Sequence, residues 1–348
     1  DLAGVDIDKK VEGRTFSDVD GKLNVTPTRA HLTGDATIDG IPLTLDLTEP
    51  VSNSGVERKR TISGTLNNAE REKIAPGTGL LLSGPVGLKL EEKGPGKNAI
   101  TLKLDKATLT VPGIGWKKGA GIAGTASFDI ESDGNSHKLR NLVVSGEGFK
   151  VTGAVDIANG SFSSARLDSI RLSPGDNYRA DITHRNKAYD IKISGNSADL
   201  RQLISEAKSN VAATGGSGEN FVIAASGSLG SVRGFYETSL SDAQFSYAGR
   251  NGKTEKLSFK AVSPSGQAVV VDVDGQSQPG QEKVEMTSGD AGAFARFAGV
   301  YGKMQGGLLN VRLQRAGDGP RRGVVDVRNF RIVGEEKLKA HVSSPADS

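Results

Sequence analysis

The stretch from Ala99 to Ile157 constrains the fold more than any other part of the chain. Ile100, Leu102 and Leu104 alternate with polar residues, as in a strand with one wet face. The parity then slips by one residue. Ala107, Leu109 and Val111 carry the apolar face onward, which predicts a bulge or bend at Asp105–Lys106. Ile122, Gly124, Ala126, Phe128 and Ile130 give a second run of period two. Val151, Gly153, Val155 and Ile157 give a third. Such a pattern suits antiparallel strands that are apolar on one face and joined by tight turns.

Composition narrows this further. Of 348 residues, 36% are hydrophobic, only 5% are aromatic, and 46 are glycine. Deep cores draw on more large side chains than this. Either the chain is partly disordered, or it forms a thin sheet whose many turns consume glycine. The persistent alternation favours the sheet. With no cysteine, disulfides and thiolate chemistry are excluded, while the compartment stays open. Net charge is +3. That balance demands no nucleic acid partner, although Arg312–Arg331 is locally basic. No run of about 18 apolar residues suggests a membrane-spanning helix. The opening at Asp1, in mid-pattern and with no leader, reads as a processed or excised piece of a longer protein.

The remainder follows the same scheme. Short strands are expected at Lys22–Thr26, Ala30–Leu32, Ala36–Ile38 and Leu43–Leu47, with turns at Asp20–Gly21 and Asp39–Gly40. A brief helical turn is possible over Asn67–Ile74, stopped by Pro76–Gly77. Tyr178–Thr183 and Tyr189–Ser194 alternate cleanly. A helix follows with Asp199 as its cap, Gln202 at the capping-box position, and a stripe of Leu200, Leu203, Ile204 and Ala207. A second helix is expected over Asp290–Tyr301, with Phe294, Phe297, Ala298 and Tyr301 on one face. Its aromatic side chains would line, plug or cover one end of a sheet. The expected organisation is residues 1–208, a linker at 209–220, a second β region at 221–340 and a polar tail at 341–348.

Candidate chemistry is sparse. His31, His137, His184 and His341 are dispersed without metal-ligand spacing. Asp129, Glu131, Asp133 and Gly134 imitate the start of a calcium loop, but Arg140 stands where the bidentate glutamate belongs. Gly252–Thr254 lacks the frame of a phosphate loop. Ser205 and Lys208 have serine–lysine spacing without the companion motifs. No nucleophile, base and orienting group can be assembled, so a non-enzyme with no cofactor or metal is expected. Trp116 is the only tryptophan. It reads either as a ring packed over a sheet edge beside solvated Lys117 and Lys118, or as a rim where the two lysines meet acidic head groups.

These motifs carry a family resemblance. VPGIGWKKGAG (Val111–Gly121), then GEGFKVTGAVDI, the SPGDNY turn and AYDIKISGNSADLRQLI (Ala188–Ile204) resemble, in order, the central region of AsmA-like bacterial envelope proteins of the YhdP-like branch. DAGAFARFAGVYGKMQGGLLNV (Asp290–Val311) and GVVDVRNFRIVGEEKL (Gly323–Leu338) resemble the AsmA-like C-terminal region. The sequence departs at Gly119, where proline is common.

The resemblance implies a mostly β fold: a long, twisted antiparallel sheet curled into an open groove, with two short helices. It further implies a periplasmic segment of a bridge-like lipid transfer protein. The parent would be anchored in the inner membrane, phospholipids would be carried between inner and outer membranes, and envelope proteins are possible partners. Combined with the alternation, it makes Leu102, Leu104, Leu109, Val111, Phe128, Ile130, Val155, Ile157, Ile182, Ile191 and Ile193 candidate groove wall. Head-group selectivity is expected to be weak, because acyl chains would supply the binding. The competing expectation is a non-enzymatic β-sandwich for structure or outer-membrane assembly, with its apolar faces shut against each other and no lipid channel.

Overall fold

The computed structural model describes residues 1–11, 13–51, 54–111, 113–208, 221–275, 281–317 and 319–335. The chain is mostly β. Twenty strands belong to one large, twisted sheet and three short ones to a second. Two compact units divide between Leu167 and Asp168, with Gly113–Gly115 grouped with the second.

In the first unit β1 (Leu2–Val11), β2 (Arg14–Val25), β3 (Arg29–Ile38), β4 (Ile41–Pro50) and β5 (Lys59–Leu66) form an antiparallel meander. Helix α1 (Asn68–Ile74) and a 3-10 turn at Thr78–Leu80 precede β6 (Leu82–Ser83), β7 (Val86–Gly94) and β8 (Lys97–Lys103). β7 pairs with β5 and β8. β9 (Thr108–Val111) and β10 (Trp116–Lys118) join β6 in the small sheet. The large sheet resumes with β11 (Gly124–Asp133) against β8, then β12 (Ser136–Gly146) and β13 (Phe149–Ala158). The division between the units falls inside β14 (Ser161–Arg171).

The second unit contains β15 (Asn177–Arg185), β16 (Ala188–Asp199), α2 (Arg201–Lys208), β17 (Val222–Arg233), β18 (Ser239–Arg250) and β19 (Lys253–Val262). β20 (Ala268–Asp274), β21 (Gln281–Ser288), α3 (Ala291–Phe297), β22 (Met304–Ala316) and β23 (Arg322–Ile332) complete it. Successive strands from β15 to β23 pair antiparallel, with one exception. β16 and β17 are parallel, in register from Ala188↔Val222 to Asp199↔Arg233. A parallel pair needs a crossover rather than a hairpin, and α2 lies in that connection. The expected boundary at 208 therefore falls within a paired unit. The expected linker at 209–220 and tail at 341–348 lie outside the described residues.

Local chemistry explains where expectation and fold part. Asp39 and Gly40 have φ of 50° and 78° and make the tight β3–β4 turn. Asp20–Gly21 is the same dipeptide but sits inside β2. Gly21 faces Gly34 of β3 so closely that a Cβ at Gly21 would lie 2.4 Å from the Thr33 carbonyl oxygen. The possible turn at Asn67–Ile74 is a full third helix. The Asn67 side chain accepts the Glu70 N–H (3.0 Å), and the Glu70 side chain accepts the Asn67 N–H (2.8 Å). α3 is shorter than expected. Asp290 caps it by accepting the Ala293 N–H (2.8 Å), and Gly299, at φ 66°, turns the chain away soon after Phe297. The parity slip after Leu104 marks the exit from one sheet into another. Asp105 accepts the Gly124 N–H (3.0 Å) while the chain turns toward β9.

The main buried clusters lie toward strand ends in each unit, with further buried side chains such as Leu45, Ile100, Val284 and Val311 within the strands. In the second, Val232, Leu240 and Val269 are at most 1% exposed and pack with Phe297 of α3; Leu200 and Ile204 cover the same cluster. Leu203, expected on that stripe, is exposed. In the first, Val86, Leu104, Ala107 and Ala126 form a cluster flanked by Leu82 and Leu109 of the small sheet. Ile38, Ile41, Leu43, Leu45 and Leu66 form another.

Candidate binding face

Register turns alternation along each strand into rows across strands, because residues directly opposite each other share a face. In the second unit one row reads Ile193, Gly227, Phe245, Phe259, Val271, Met286, Val311. One position over, on the opposite face, the row reads Lys192, Ser226, Ser246, Ser258, Asp272, Glu285, Arg312. The first unit repeats the contrast. Leu45, Ile62, Leu90, Ile100 and Phe128 align on one face, and Thr44, Ser63, Lys89, Thr101 and Ser127 on the other. Each unit thus carries an apolar face that is continuous from strand to strand.

Exposure distinguishes an open face from a shut core. Ten of the eleven wall candidates are half-buried, neither sealed nor bare. Phe245, Phe259, Val271 and Met286 share that state. Side chains interdigitated between two sheets would be sealed. At these half-buried positions the apolar face of each unit has neighbours along the sheet but lacks a continuous second layer among the described residues. The covered portion is the helix end of the second unit together with Val284 (3% exposed) and Val311 (7%), and in the first unit the small-sheet end together with Leu45 (2%) and Ile100 (8%).

Not every candidate belongs to this face. Leu104 is 2% exposed and lies in a core cluster, so it cannot line an open surface. Leu109 and Val111 lie in the small sheet. Leu102, Phe128, Ile130, Val155 and Ile157 do stand in β8, β11 and β13, and Ile182, Ile191 and Ile193 in β15 and β16, with Ile182 opposite Ile191. Lys118 is corrected more sharply. Its Nζ is buried and donates to the carbonyl oxygens of Leu104 (2.7 Å), Ala107 (2.9 Å) and Gly119 (3.2 Å). Burial pushes its pKa down, against the pull of the Asp105 carboxylate. This ammonium ties the small sheet to the large one and is not at a rim. Lys117 is exposed, and Trp116 packs edge-on against Phe149 with centroids 5.1 Å apart. Phe297 is buried, Phe294 packs beside it, and the Tyr301 hydroxyl donates to Glu335 (3.2 Å).

The remaining motifs resolve into structure. Glu131 pairs with Lys97 (3.1 Å), and Asp129 accepts from the Asn141 side chain (2.7 Å). Gly252, at φ 77°, follows Asn251 in a hairpin turn. Lys208 lies 5.2 Å from the centroid of the Phe235 ring. His31 meets Asp46 (2.8 Å), His137 meets Ser132 (2.8 Å), and His184 stacks on Tyr189; His341 lies outside the described residues. Among the described residues no group of three or more His, Cys, Asp or Glu could hold a metal, and no helix is long and apolar enough to cross a membrane.

The sequence reading missed the densest apolar rows, those of β17 to β22, although the signal there is the same alternation. It also missed a charged group at the far end of the second unit's face. Glu282, opposite Arg315, accepts from Arg315 (2.7 Å) and from Arg321 (2.6 Å). Burial pushes the Glu282 pKa up, yet the Arg321 and Arg315 guanidiniums hold it below the ordinary carboxylate range. Comparison with family models, with curated proteins and with solved structures gave no match.

Proposed function

We propose that this chain is a periplasmic, non-enzymatic segment of a bridge-like lipid transfer protein. Its apolar β-face would shield phospholipid acyl chains between inner and outer membranes. The observation that carries this reading is the half-buried apolar row, unbroken over strand after strand and backed by a polar row one residue away. A lipid with about 30 methylenes faces about 0.8 kcal/mol for each one exposed to water. Free aqueous transfer is prohibitive on that scale, and a continuous apolar surface removes much of the penalty. The AsmA-like sequence resemblance supports the same reading.

A closed β-sandwich for structure or assembly is the alternative, and the half-exposed rows speak against it. The test is photo-crosslinking with benzoylphenylalanine placed at Tyr247 or Leu257 on the apolar face, and at Ser246 or Ser258 on the polar face. Lipid adducts at the first pair and none at the second are expected, with phospholipid in mass spectra of the purified chain. Equal labelling of both faces, or no lipid at all, would overturn the proposal.

A further inference from the structure

We propose that Arg315 and Arg321, held by Glu282, seat the phosphate of a phospholipid whose acyl chain lies along the strands toward α3. This rests on the lipid-shielding reading and specifies how the lipid is held. Glu282 and Val284 share a face of β21, as do Arg315 and Leu313 of β22, and Val284 pairs with Leu313. The charged group is therefore the next row beyond Val273, Val284 and Leu313; Val284 is sealed at 3% exposed, while Val273 and Leu313 are half-buried and offer the surface along which a chain would run.

Among the described residues its charge does not cancel. Two guanidiniums share one carboxylate, which is 8% exposed and gives one oxygen to each arginine. A net positive charge and several N–H donors remain, suited to a phosphate oxyanion. The corresponding end of the first unit's face differs. There Arg58 and Arg60 meet Glu49, and Arg60 also meets Glu92 (3.4 Å). Among the described residues two arginines face two glutamates there, and their charges balance.

The span also fits. From Glu282 to Ser288, beside the Asp290 cap of α3, six steps of about 3.3 Å give about 20 Å of strand. One leaflet of a bilayer core is about 15 Å deep. A head group at the arginines thus places the chain end at the covered core around Val269 and Phe297.

The test measures binding of pyrene-labelled phosphatidylglycerol and of pyrene-labelled diacylglycerol with the same acyl chains, which lacks the phosphate. Wild type should favour the phosphatidylglycerol by about tenfold. The triple variant Glu282→Gln/Arg315→Gln/Arg321→Gln, which leaves no buried charge unpaired, should lose that preference and keep its diacylglycerol affinity. Glu282→Gln alone, which frees both guanidiniums, should enlarge the preference.

An unchanged preference in the triple variant, with wild type binding lipid, overturns the phosphate seat and leaves the shielding reading intact. Wild type binding neither probe overturns both. Millimolar glycerol 3-phosphate should not displace the labelled lipid. Displacement would mark a soluble-phosphate site and overturn the lipid assignment.

Discussion

Strand β20 offers an internal control for whether the apolar face is open, because Val269, Val271 and Val273 share one face but differ in burial. Val269 is fully buried beneath α3, whereas Val273 is half-buried. Glutamate at each position separates the two environments. Val269→Glu loses a buried side chain worth about 2 kcal/mol. Its carboxyl must also stay protonated in a dry site at pH 7. From an ordinary pKa of about 4.3, that costs about 3.7 kcal/mol, at 1.36 kcal/mol per unit. The total of about 5–6 kcal/mol would unfold a domain of ordinary stability. Val273→Glu keeps its carboxylate in water and should lose about 1 kcal/mol, about half the valine term.

Urea denaturation of both variants, followed by intrinsic fluorescence, measures the difference. The sign of the pH dependence is a second check. The buried carboxyl has a raised folded-state pKa, so Val269→Glu should regain stability as pH falls toward 4, while Val273→Glu should change little. Equal, severe losses at both positions would show that Val273 is sealed by another layer, and the open-face argument would fail. Val273→Glu should also abolish lipid extraction from vesicles while leaving the fold intact.

Two further outcomes follow from named contacts. Lys118→Met should destabilise the first unit by about 2–4 kcal/mol, because three carbonyl oxygens lose a charged donor; a change within 0.5 kcal/mol in thermal unfolding would refute that role. Asp39 is held at a pKa of about 2, chiefly by the Thr15 N–H and the Arg14 guanidinium. Its depressed folded pKa makes its contribution full above about pH 4 and lost as pH falls toward 2. Because the side chain is 36% exposed, Asp39→Asn should cost less than about 1 kcal/mol. A carboxylate midpoint near 4 in an NMR titration would contradict this.

Alternation by itself determined that the chain is β and that each strand has one wet and one greasy side. The pattern Tyr178, Ala180, Ile182 against Arg179 and Asp181 leaves little other choice, since side chains in a strand must alternate. The turn at Asp39–Gly40 was legible because it is a local backbone requirement, and a helix starting near Asp290 was legible from its apolar stripe. The tertiary structure decided everything that depends on which strand meets which. Gly21 is a strand residue only because Gly34 lies across from it, and Lys118 is interior only because three carbonyls converge there. The parallel β16–β17 pair joins segments that look separate along the chain. Glu282, Arg315 and Arg321 read as scattered surface charges until register brings them together at the end of an apolar row. Periodicity specifies the side on which a residue lies, while long-range pairing specifies what lies beside it, and binding chemistry depends on both.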